Sequence, residues 1–534
     1  MRSEDLAPFS LSALVIAAVF IIAGLPVWWK TTAVYRAPLP VEEIGRLRDM
    51  KILYTVEVQL SGPSVTLEVA KRLEDLCQNK TALKPSLSVA YKLRISNLPK
   101  LDGASSLSSL DDTLSSSDAG DIRVHELAVD SQAANELKST GKDIWLGCHR
   151  TVFTTDMSAS LPRIAKLITN LLVRESLLRR SYQALSVSDH TQEPRTAANV
   201  KSMTAVQSKP GYQLSFNLLN SDPSDFLVQW DIKTSVGDAL IPFLNRLDNI
   251  STFSIDSQIL RYIDLGVTPK YHAENKTYYL SFKDLPHTIN TVESRLGTFV
   301  SSNPSLEFVV YVPPPSQSPL YIKDKTGQNV ASNAYLSPRW GGIVVYNPET
   351  ADGEESAKAV TVPTSSIMSV FISHLKLLLG LEKPKLPEGT FLRSHSSGIT
   401  DWELDGLMLR RCVENVATAS AALVSLTKLL EKVKNMVIAD HIQTLTATAV
   451  ESIDKCVSEL QSGHLVQAFL LSKIAIESAE TAFYDPSMLE LLYFPEDQKF
   501  AIYVPLFVPV GIPVLVSCYA VLQRWRKKTA KPES

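Results

Sequence analysis

The two ends of this chain constrain it most. Phe9–Trp29, FSLSALVIAAVFIIAGLPVWW, contains no charged side chain, and neither does Ala501–Leu522, AIYVPLFVPVGIPVLVSCYAVL. A helix of about 20 apolar residues spans a hydrocarbon layer of roughly 30 Å, so each end is long enough to cross a membrane. The first run exceeds the roughly 7–15-residue apolar core of a secretory signal. Arg2, Glu4 and Asp5 precede it instead of a basic cluster, no small-x-small cleavage site follows, and Trp28 and Trp29 stand where an interfacial aromatic belt belongs. We read it as a retained anchor in preference to a cleaved signal. The second run carries Pro505, Pro509, Gly511 and Pro513. Such breaks are tolerated in lipid when neighbouring helices satisfy the freed carbonyls, which favours a helix packed against partner helices over a lone kinked anchor.

The basic tail orients the pair. Arg524, Arg526, Lys527, Lys528 and Lys531 follow the second anchor directly, whereas Glu496, Asp497 and Lys499 precede it. Basic clusters beside a span stay on the cytosolic side, so two crossings place both termini there and the intervening chain in the lumen or outside the cell. Lys30 and Arg36 after the first anchor vote the other way, but more weakly. The expected layout is a cytosolic N-terminus over 1–8, spans over 9–29 and 501–522, a lumenal region over 30–500 and a cytosolic tail over 523–534. Three sequons lie between the anchors, at Asn79, Asn249 and Asn275, and become N-glycosylation candidates under this topology. Cys77, Cys148, Cys412 and Cys456 share the region, with Cys518 in the second anchor. One bridge is compatible with that compartment, but spacing assigns no pairing.

With 534 residues, the chain exceeds the size at which a single core usually stops growing. Its formal net charge of -3 supplies no basic field for nucleic acid. Between the anchors, β-rich strings recur at Ile52–Leu60, Leu87–Ile95, Ile122–Ala128, Thr151–Thr155, from Gly211, from Phe226, and at Phe253–Leu260, Tyr278–Ser281, Leu306–Val312 and Gly342–Tyr346. Helical patterns fall between them at Leu161–Leu178 and Gly237–Ile250. That alternation predicts a lumenal α/β region over 30–364. The Ser/Leu/Asp tract Ala104–Asp121 reads as a surface loop or disordered insert, and Asn347–Pro363 and Leu381–Thr400 as exposed loops. From Ser365 the period becomes helical, predicting a helix-rich region over 365–500. There Leu423, Leu426, Leu430, Val433 and Val437 form one apolar stripe, Lys428 and Lys432 lie opposite, and Ser462-Gly463 breaks the pattern as a turn between helices.

Chemistry is sparse in this sequence. Cys148-His149 suggests a nucleophile and base, but adjacent residues on a strand point to opposite faces, so adjacency alone makes no dyad. There is no HExxH, paired CxxC, GxGxxG or GxxxxGK[ST], so no metal or cofactor is called for. Asp401, Glu403 and Asp405 read as helix-start caps or a solvated face rather than an acid–base pair. SPRWGG, Ser337–Gly342, is more distinctive. Pro338 fixes a turn, the glycines permit close backbone approach, and Arg339 and Trp340 are candidates for contact with a protein partner or lipid headgroup. A buried Trp with Arg on a local carboxylate is the plainer alternative. Tyr493-Phe494-Pro495 before the second anchor is similarly open between interfacial anchoring and recognition.

Several longer strings together resemble the PIG-S family of glycosylphosphatidylinositol (GPI) transamidase subunits. They are GLPVWWKTTAVYRAPLP (Gly24–Pro40), GYQLSFNLLNSDP (Gly211–Pro223), FSIDSQIL (Phe253–Leu260), LPHTINTVESRLG (Leu285–Gly297), SPRWGGIVVYN (Ser337–Asn347), WELD (Trp402–Asp405) and AFYDPSMLELLYFPEDQKFAIYVPLFVP (Ala482–Pro509). The resemblance covers nearly the whole chain and is weakest over 44–198. It implies a noncatalytic scaffold in an endoplasmic-reticulum membrane complex that joins protein C-termini to GPI lipid. The implied partners are the other transamidase subunits, including a cysteine-protease-like catalytic one, with GPI lipid and substrate protein met at the level of the complex. No catalytic role for Cys148 or His149 follows from it. An independent lumenal membrane-anchored hydrolase, or a lumenal receptor or tether, is the alternative.

Overall fold

The computed structural model describes residues 35–78, 87–96, 106–115, 117–185, 205–206, 208–224, 226–297, 303–348, 358–433 and 438–486, with scattered positions nearer the termini. The chain divides into two compact units, one of Met1–Leu47, Ala422–Glu451 and Glu477–Ser534, the other of Arg48–Ala421 and Ser452–Ile476.

The larger unit holds two mainly parallel sheets. The first begins with β1 (Ile52–Ser61), crosses over through α1 (Leu67–Cys77) and returns as β2 (Leu87–Ile95). Thr66 starts α1 by accepting the Val69 N–H, and Glu68 complements the positive helix end. After α2 (Leu107–Thr113) comes β3 (Ile122–Glu126), then α3 (Gln132–Ser139), β4 (Ile144–Leu146), β5 (Thr151–Thr154) and α4 (Met157–Leu167). Both β2 and β3 run parallel to β1, on opposite sides of it; β5 is parallel to β3 and antiparallel to β4. The late segment Thr390–Leu392 closes the sheet beside β4. Along β1 every second residue, Ile52, Tyr54, Val56, Val58 and Leu60, is buried on one face, while Leu53, Glu57 and Gln59 on the other are half-buried.

The second sheet is centred on β6 (Gly211–Asn220), every residue of which is buried. β7 (Thr252–Arg261) and β10 (Ser305–Val312) flank it in parallel. Between them in sequence, β8 (Lys270–His272) and β9 (Thr277–Leu280) pair with β11 (Leu320–Ile322) in a small separate sheet, and α6 spans Leu285–Glu293. The hairpin β12 (Ala334–Ser337) and β13 (Gly341–Val345) completes the larger sheet beside β10. From α7 (Thr364–Leu378), Phe371 meets Phe216 of β6 and Phe308 of β10 at ring separations of 5.8 and 5.2 Å. Three buried aromatics at these separations fasten helix to sheet through both area and ring contact.

Three long helices follow: α8 (Asp401–Lys432), α9 (Asp440–Ser462) and α10 (Leu465–Phe483). Gly463, at φ +88°, makes the tight turn between the last two. In the smaller unit, Leu426, Leu430, Ile438, Ile442 and Ala482 form a core with Ala37. The N-terminal segment is held there by Ala37 N–H on Ile438 O at 2.9 Å and by the Arg36 guanidinium on Leu430 O at 2.8 Å. The expected stripe is present at Leu423, Leu426 and Leu430, with Val433 half-buried and Lys428 and Lys432 exposed; Val437 lies outside the described residues.

Four local expectations change. The Ser/Leu/Asp tract contains α2, whose Ser106–Ser109 capping box and buried Leu107 and Leu110 place it in a core with Trp145 and Phe153. The segments read as exposed loops contribute strands at Lys358–Thr361, paired with Phe226–Gln229, and at Thr390–Leu392. Short strands like these owe their form to distant partners, which leaves little local signal. The single helix expected over Leu161–Leu178 is divided by a wide turn at Ile168–Leu172 and by Arg174 at φ +55°, after which α5 (Glu175–Leu185) begins. Cys148 and His149 lie on the loop between β4 and β5, not on a strand. Among the described residues no helix is long and apolar enough to cross a membrane; most of 9–29 and part of 501–522 lie outside them.

The β12–β13 hairpin shows why SPRWGG needs its glycines. At Gly341, φ is +151° and an added Cβ would lie 1.8 Å from Glu307 O. At Gly342 it would lie 2.2 Å from His374 Nδ1 of α7. Gly327 also has positive φ, +86°, but nothing within 4 Å of an added Cβ. Gly341→Ala should therefore lower stability by about 2 kcal/mol or more, and Gly327→Ala by roughly 1 kcal/mol, because only the first adds backbone collision to conformational strain. Thermal unfolding of the two purified variants measures the difference; equal losses would rule out the close approach as the cause.

Candidate functional site

In an open parallel sheet, ligands gather at the C-terminal strand ends where strand order reverses. In the first sheet this point lies between β1 and β3, where Ser61 Oγ sits 2.5 Å from His125 Nδ1 with both residues buried. Nearby, Glu126 accepts the Ser64 backbone N–H at 2.7 Å and its hydroxyl at 2.6 Å. A Ser–His contact 64 residues apart in sequence is invisible to motif reading. It falls short of a nucleophilic triad, which needs a third group orienting the far ring nitrogen. Among the described residues buried His125 Nε2 has no hydrogen-bond partner, and burial, aided by Arg123, lowers the imidazole to about 4. So weak a base holds almost no proton-abstracting power near neutrality. The pair is a packing contact.

The Cys148-His149 loop lies at the opposite end, where β5 begins. Its organiser is Asp111 of α2, fully buried. The Asp111 carboxylate accepts the Cys148 N–H at 2.8 Å, the Cys148 thiol at 3.2 Å, the His149 N–H at 3.2 Å, the Thr151 hydroxyl at 2.5 Å and the Arg393 guanidinium at 2.9 Å. His149 turns toward other carboxylates, with Nδ1 2.8 Å from Asp401 and Nε2 3.5 Å from Asp112. Arg150 forks onto Asp405 and reaches Asp401, which also meets Arg246. Trp402 Nε1 donates to Gly147 O at 3.2 Å, and the Asp401 N–H to Cys148 O at 2.9 Å. The first turn of α8 is thereby laced to the β4–β5 loop. Glu403 accepts both the N–H and hydroxyl of Thr400 while donating its own N–H to Thr400, a reciprocal cap. Asp401, Glu403 and Asp405 thus cap and pair as expected of a helix start, but they are buried and not on a solvated face.

Two chemical readings of this cluster can be weighed. As a nucleophile, Cys148 is poor: burial, followed by the neighbouring Asp111, pushes its thiol up to about 12, and the proton is spent on Asp111. As a metal site, Asp111, Cys148 and His149 do offer ligand atoms within 4.8 Å of one another. A metal would require a thiolate and free carboxylate lone pairs, whereas Asp111 already accepts five donors, one from a cationic guanidinium. The residues do not fit a metal. Burial by itself would raise Asp401, but His149, Arg150 and Arg246 together hold it below the usual carboxylate range. The arrangement is a satisfied polar knot that fixes loop, helix and sheet edge together.

The most exposed candidate is the SPRWGG turn. Arg339 stands on its tip at φ +61°, exposed and without an ion pair among the described residues, while Trp340 is half-buried against the core containing Val309, Tyr311 and Ile343. The alternative of an Arg paired to a local carboxylate is thus absent among these residues. Beside the turn opens an apolar cavity of about 610 Å³ between α6 and the β12 edge, lined by Phe282, Ile289 and Leu336 among others, with Lys323 and Lys325 at its margin. Their ammonium groups lie 4.0 Å from the Tyr279 ring centre and 4.8 Å from that of Phe282. Asn249 and Asn275 both occupy exposed turns; Asn79 lies outside the described residues.

Comparison with known proteins decides the family. Residues 15–528 match the family described as Phosphatidylinositol-glycan biosynthesis class S protein. The chain is 38% identical to a human protein named GPI-anchor transamidase component PIGS, over 98% of this chain and 96% of that one. This chain belongs to the PIG-S family. More distant relatives include the GPI transamidase component PIG-S homolog of Schizosaccharomyces pombe, 25% identical over 93% of this chain and 81% of its own length. A Saccharomyces cerevisiae protein named GPI transamidase component GPI17 is 23% identical over 96% of this chain and 92% of its own length. Five of the strings that carried the resemblance in sequence fall, in this PIG-S chain, on β6, β7, α6, the β12–β13 hairpin and the start of α8.

Two buried histidines give this PIG-S chain an acid limit. Burial lowers His374, like His125, to about 4. An imidazole whose folded pKa is depressed contributes its full stability above the unfolded value near 6.5 and loses it as pH falls toward 4. Each is worth on the order of 3 kcal/mol across that window. The thermal midpoint should fall between pH 6.5 and 4, and His125→Gln should flatten the slope. An unchanged slope in that variant would remove His125 from the account.

Proposed function

We propose that this chain is a noncatalytic scaffold subunit of a GPI transamidase in the endoplasmic-reticulum membrane, supporting attachment of GPI anchors to protein C-termini. One observation carries the reading: near-full-length similarity, at 38% identity, to proteins named as components of that enzyme. The noncatalytic part is supported by the state of the nucleophile candidates, since Cys148 is a protonated donor to Asp111 and Ser61 faces a feeble base. Transamidation needs an activated nucleophile and a positioned base, together with a peptide end and a lipid-linked amine brought into register. A scaffold lowers the placement cost without contributing a reacting atom. Its partners in this reading are the remaining transamidase subunits, including the cysteine-protease-like one that supplies the chemistry.

The proposed topology has spans over 9–29 and 501–522, both termini cytosolic, and lumenal α/β and helix-rich regions over 30–364 and 365–500. Exposed apolar side chains at Val15, Val19, Ile21 and Ile22, and at Ile512, Leu515, Val516 and Leu522, support it, because in water such rows are costly. Asn249 and Asn275 stand on exposed turns as acceptors should, and Asn79 remains a third candidate. Arg339, with half-buried Trp340 bracing its turn, is proposed as a partner or lipid-headgroup contact.

Affinity purification of the full chain from gently solubilised microsomes should recover the other transamidase subunits, and endoglycosidase should increase its gel mobility. Cys148→Ala in cells lacking the native chain should leave GPI attachment at more than half the wild-type level. Recovery without the other subunits would sink the scaffold reading. Abolished attachment in a Cys148→Ala complex of normal composition would sink the noncatalytic one.

A further inference from the structure

Cys412 of α8 and Cys456 of α9 face each other inside the larger unit with their sulfurs 3.4 Å apart. Both are fully buried, and neighbouring positions on the two helices, Val413, Val416, Ala449 and Ile453, are apolar and buried too. Cys148, by contrast, spends its thiol proton on Asp111. A disulfide has sulfurs about 2.05 Å apart, so a bond here requires these two sulfurs to draw closer than their present contact.

We propose that Cys412 and Cys456 form an intrachain disulfide that staples α8 to α9. This rests on the lumenal placement proposed above, since thiols persist as such in the cytosol and oxidise in the lumen. The oxidant is a disulfide of the compartment, carried by a thiol–disulfide oxidoreductase or by oxidised glutathione. One cysteine, as thiolate, attacks that disulfide and displaces its first sulfur; the second cysteine then attacks the mixed disulfide and displaces the other. The S–S bond of the oxidant is exchanged for the Cys412–Cys456 bond. Two electrons pass to the oxidant, and the two cysteine protons end on its two released thiols. The hydrogen bond with Cys412, followed by burial, keeps Cys456 strongly protonated once the helices have packed, so the exchange belongs to folding, before the pair is sealed.

The sequence supplies a convenient assay. Cys412 follows Arg411 and Cys456 follows Lys455, so trypsin leaves each cysteine at the head of its own peptide. The full chain is expressed in eukaryotic cells, its free thiols are blocked with N-ethylmaleimide during denaturing lysis, and the digest is analysed by mass spectrometry with and without reductant. A Cys412–Cys456 linked peptide that reductant splits, with Cys148 carrying the maleimide, is the expected result. Cys412→Ser should leave Cys456 alkylated, and the reverse. Both cysteines fully alkylated before reduction overturns the disulfide. Endoglycosidase treatment of the same sample separates the causes: with sugars present the staple alone fails, and with sugars absent the topology falls with it.

Discussion

A carboxylate taken out of water must be repaid in hydrogen bonds, and Asp111 is completely sealed. The chain answers with donors from three separate places: the β4–β5 loop, the start of β5, and Arg393 after the strand at Thr390–Leu392. Movement of any of these segments strips a donor from a buried carboxyl group, which costs more than an ordinary lost contact. The loop so fixed then holds the head of α8 through Asp401, Trp402 and Asp405. One buried group therefore sets where a 32-residue helix begins relative to the sheet.

The same interaction explains why the tempting chemistry is quiet. Cys148 and His149 are where they are because their backbone N–H groups satisfy Asp111, and their side chains are consumed by the same network. A reactive cysteine needs a nearby cation and solvent access to favour the thiolate; here the carboxylate favours the thiol. At the other end of the sheet, Ser61 and His125 occupy the position that a parallel fold commonly gives to its ligands, but the histidine has lost its basicity to burial. Burial and hydrogen-bond direction leave neither Cys148 nor Ser61 activated as a nucleophile.

Much of the strand architecture could be read in advance because buried parallel strands carry their own signal. Ile52–Leu60 and Leu87–Ile95 are apolar or alternating over their full length, and appear as β1 and β2 with nearly those limits. The stripe through Leu423, Leu426 and Leu430 likewise predicted its own burial. The element α2 was hidden by composition, since serines dominate its tract. Its signals were present, however, in the Ser106 cap and in Leu107, Leu110 and Leu114 at helical spacing. The strands at Lys358–Thr361 and Thr390–Leu392 left almost no trace, because each exists through pairing with a strand far away in sequence. The Ser61–His125 and Asp111–Cys148 contacts were hidden for the same reason.

By itself the sequence determined the apolar ends, the α/β region followed by helices, and, through long ordered strings of residues, membership of the PIG-S family. Those properties depend on periodicity and on order along the chain, which a linear text preserves. The tertiary structure decided which polar groups are spent and which remain free. It buried Asp111 among donors, turned His149 from its neighbour Cys148 toward Asp401, left Arg339 exposed on its turn, and set Cys412 against Cys456. Ionisation and reactivity follow from solvent and from the nearest partner in space, and neither quantity is encoded by proximity in sequence.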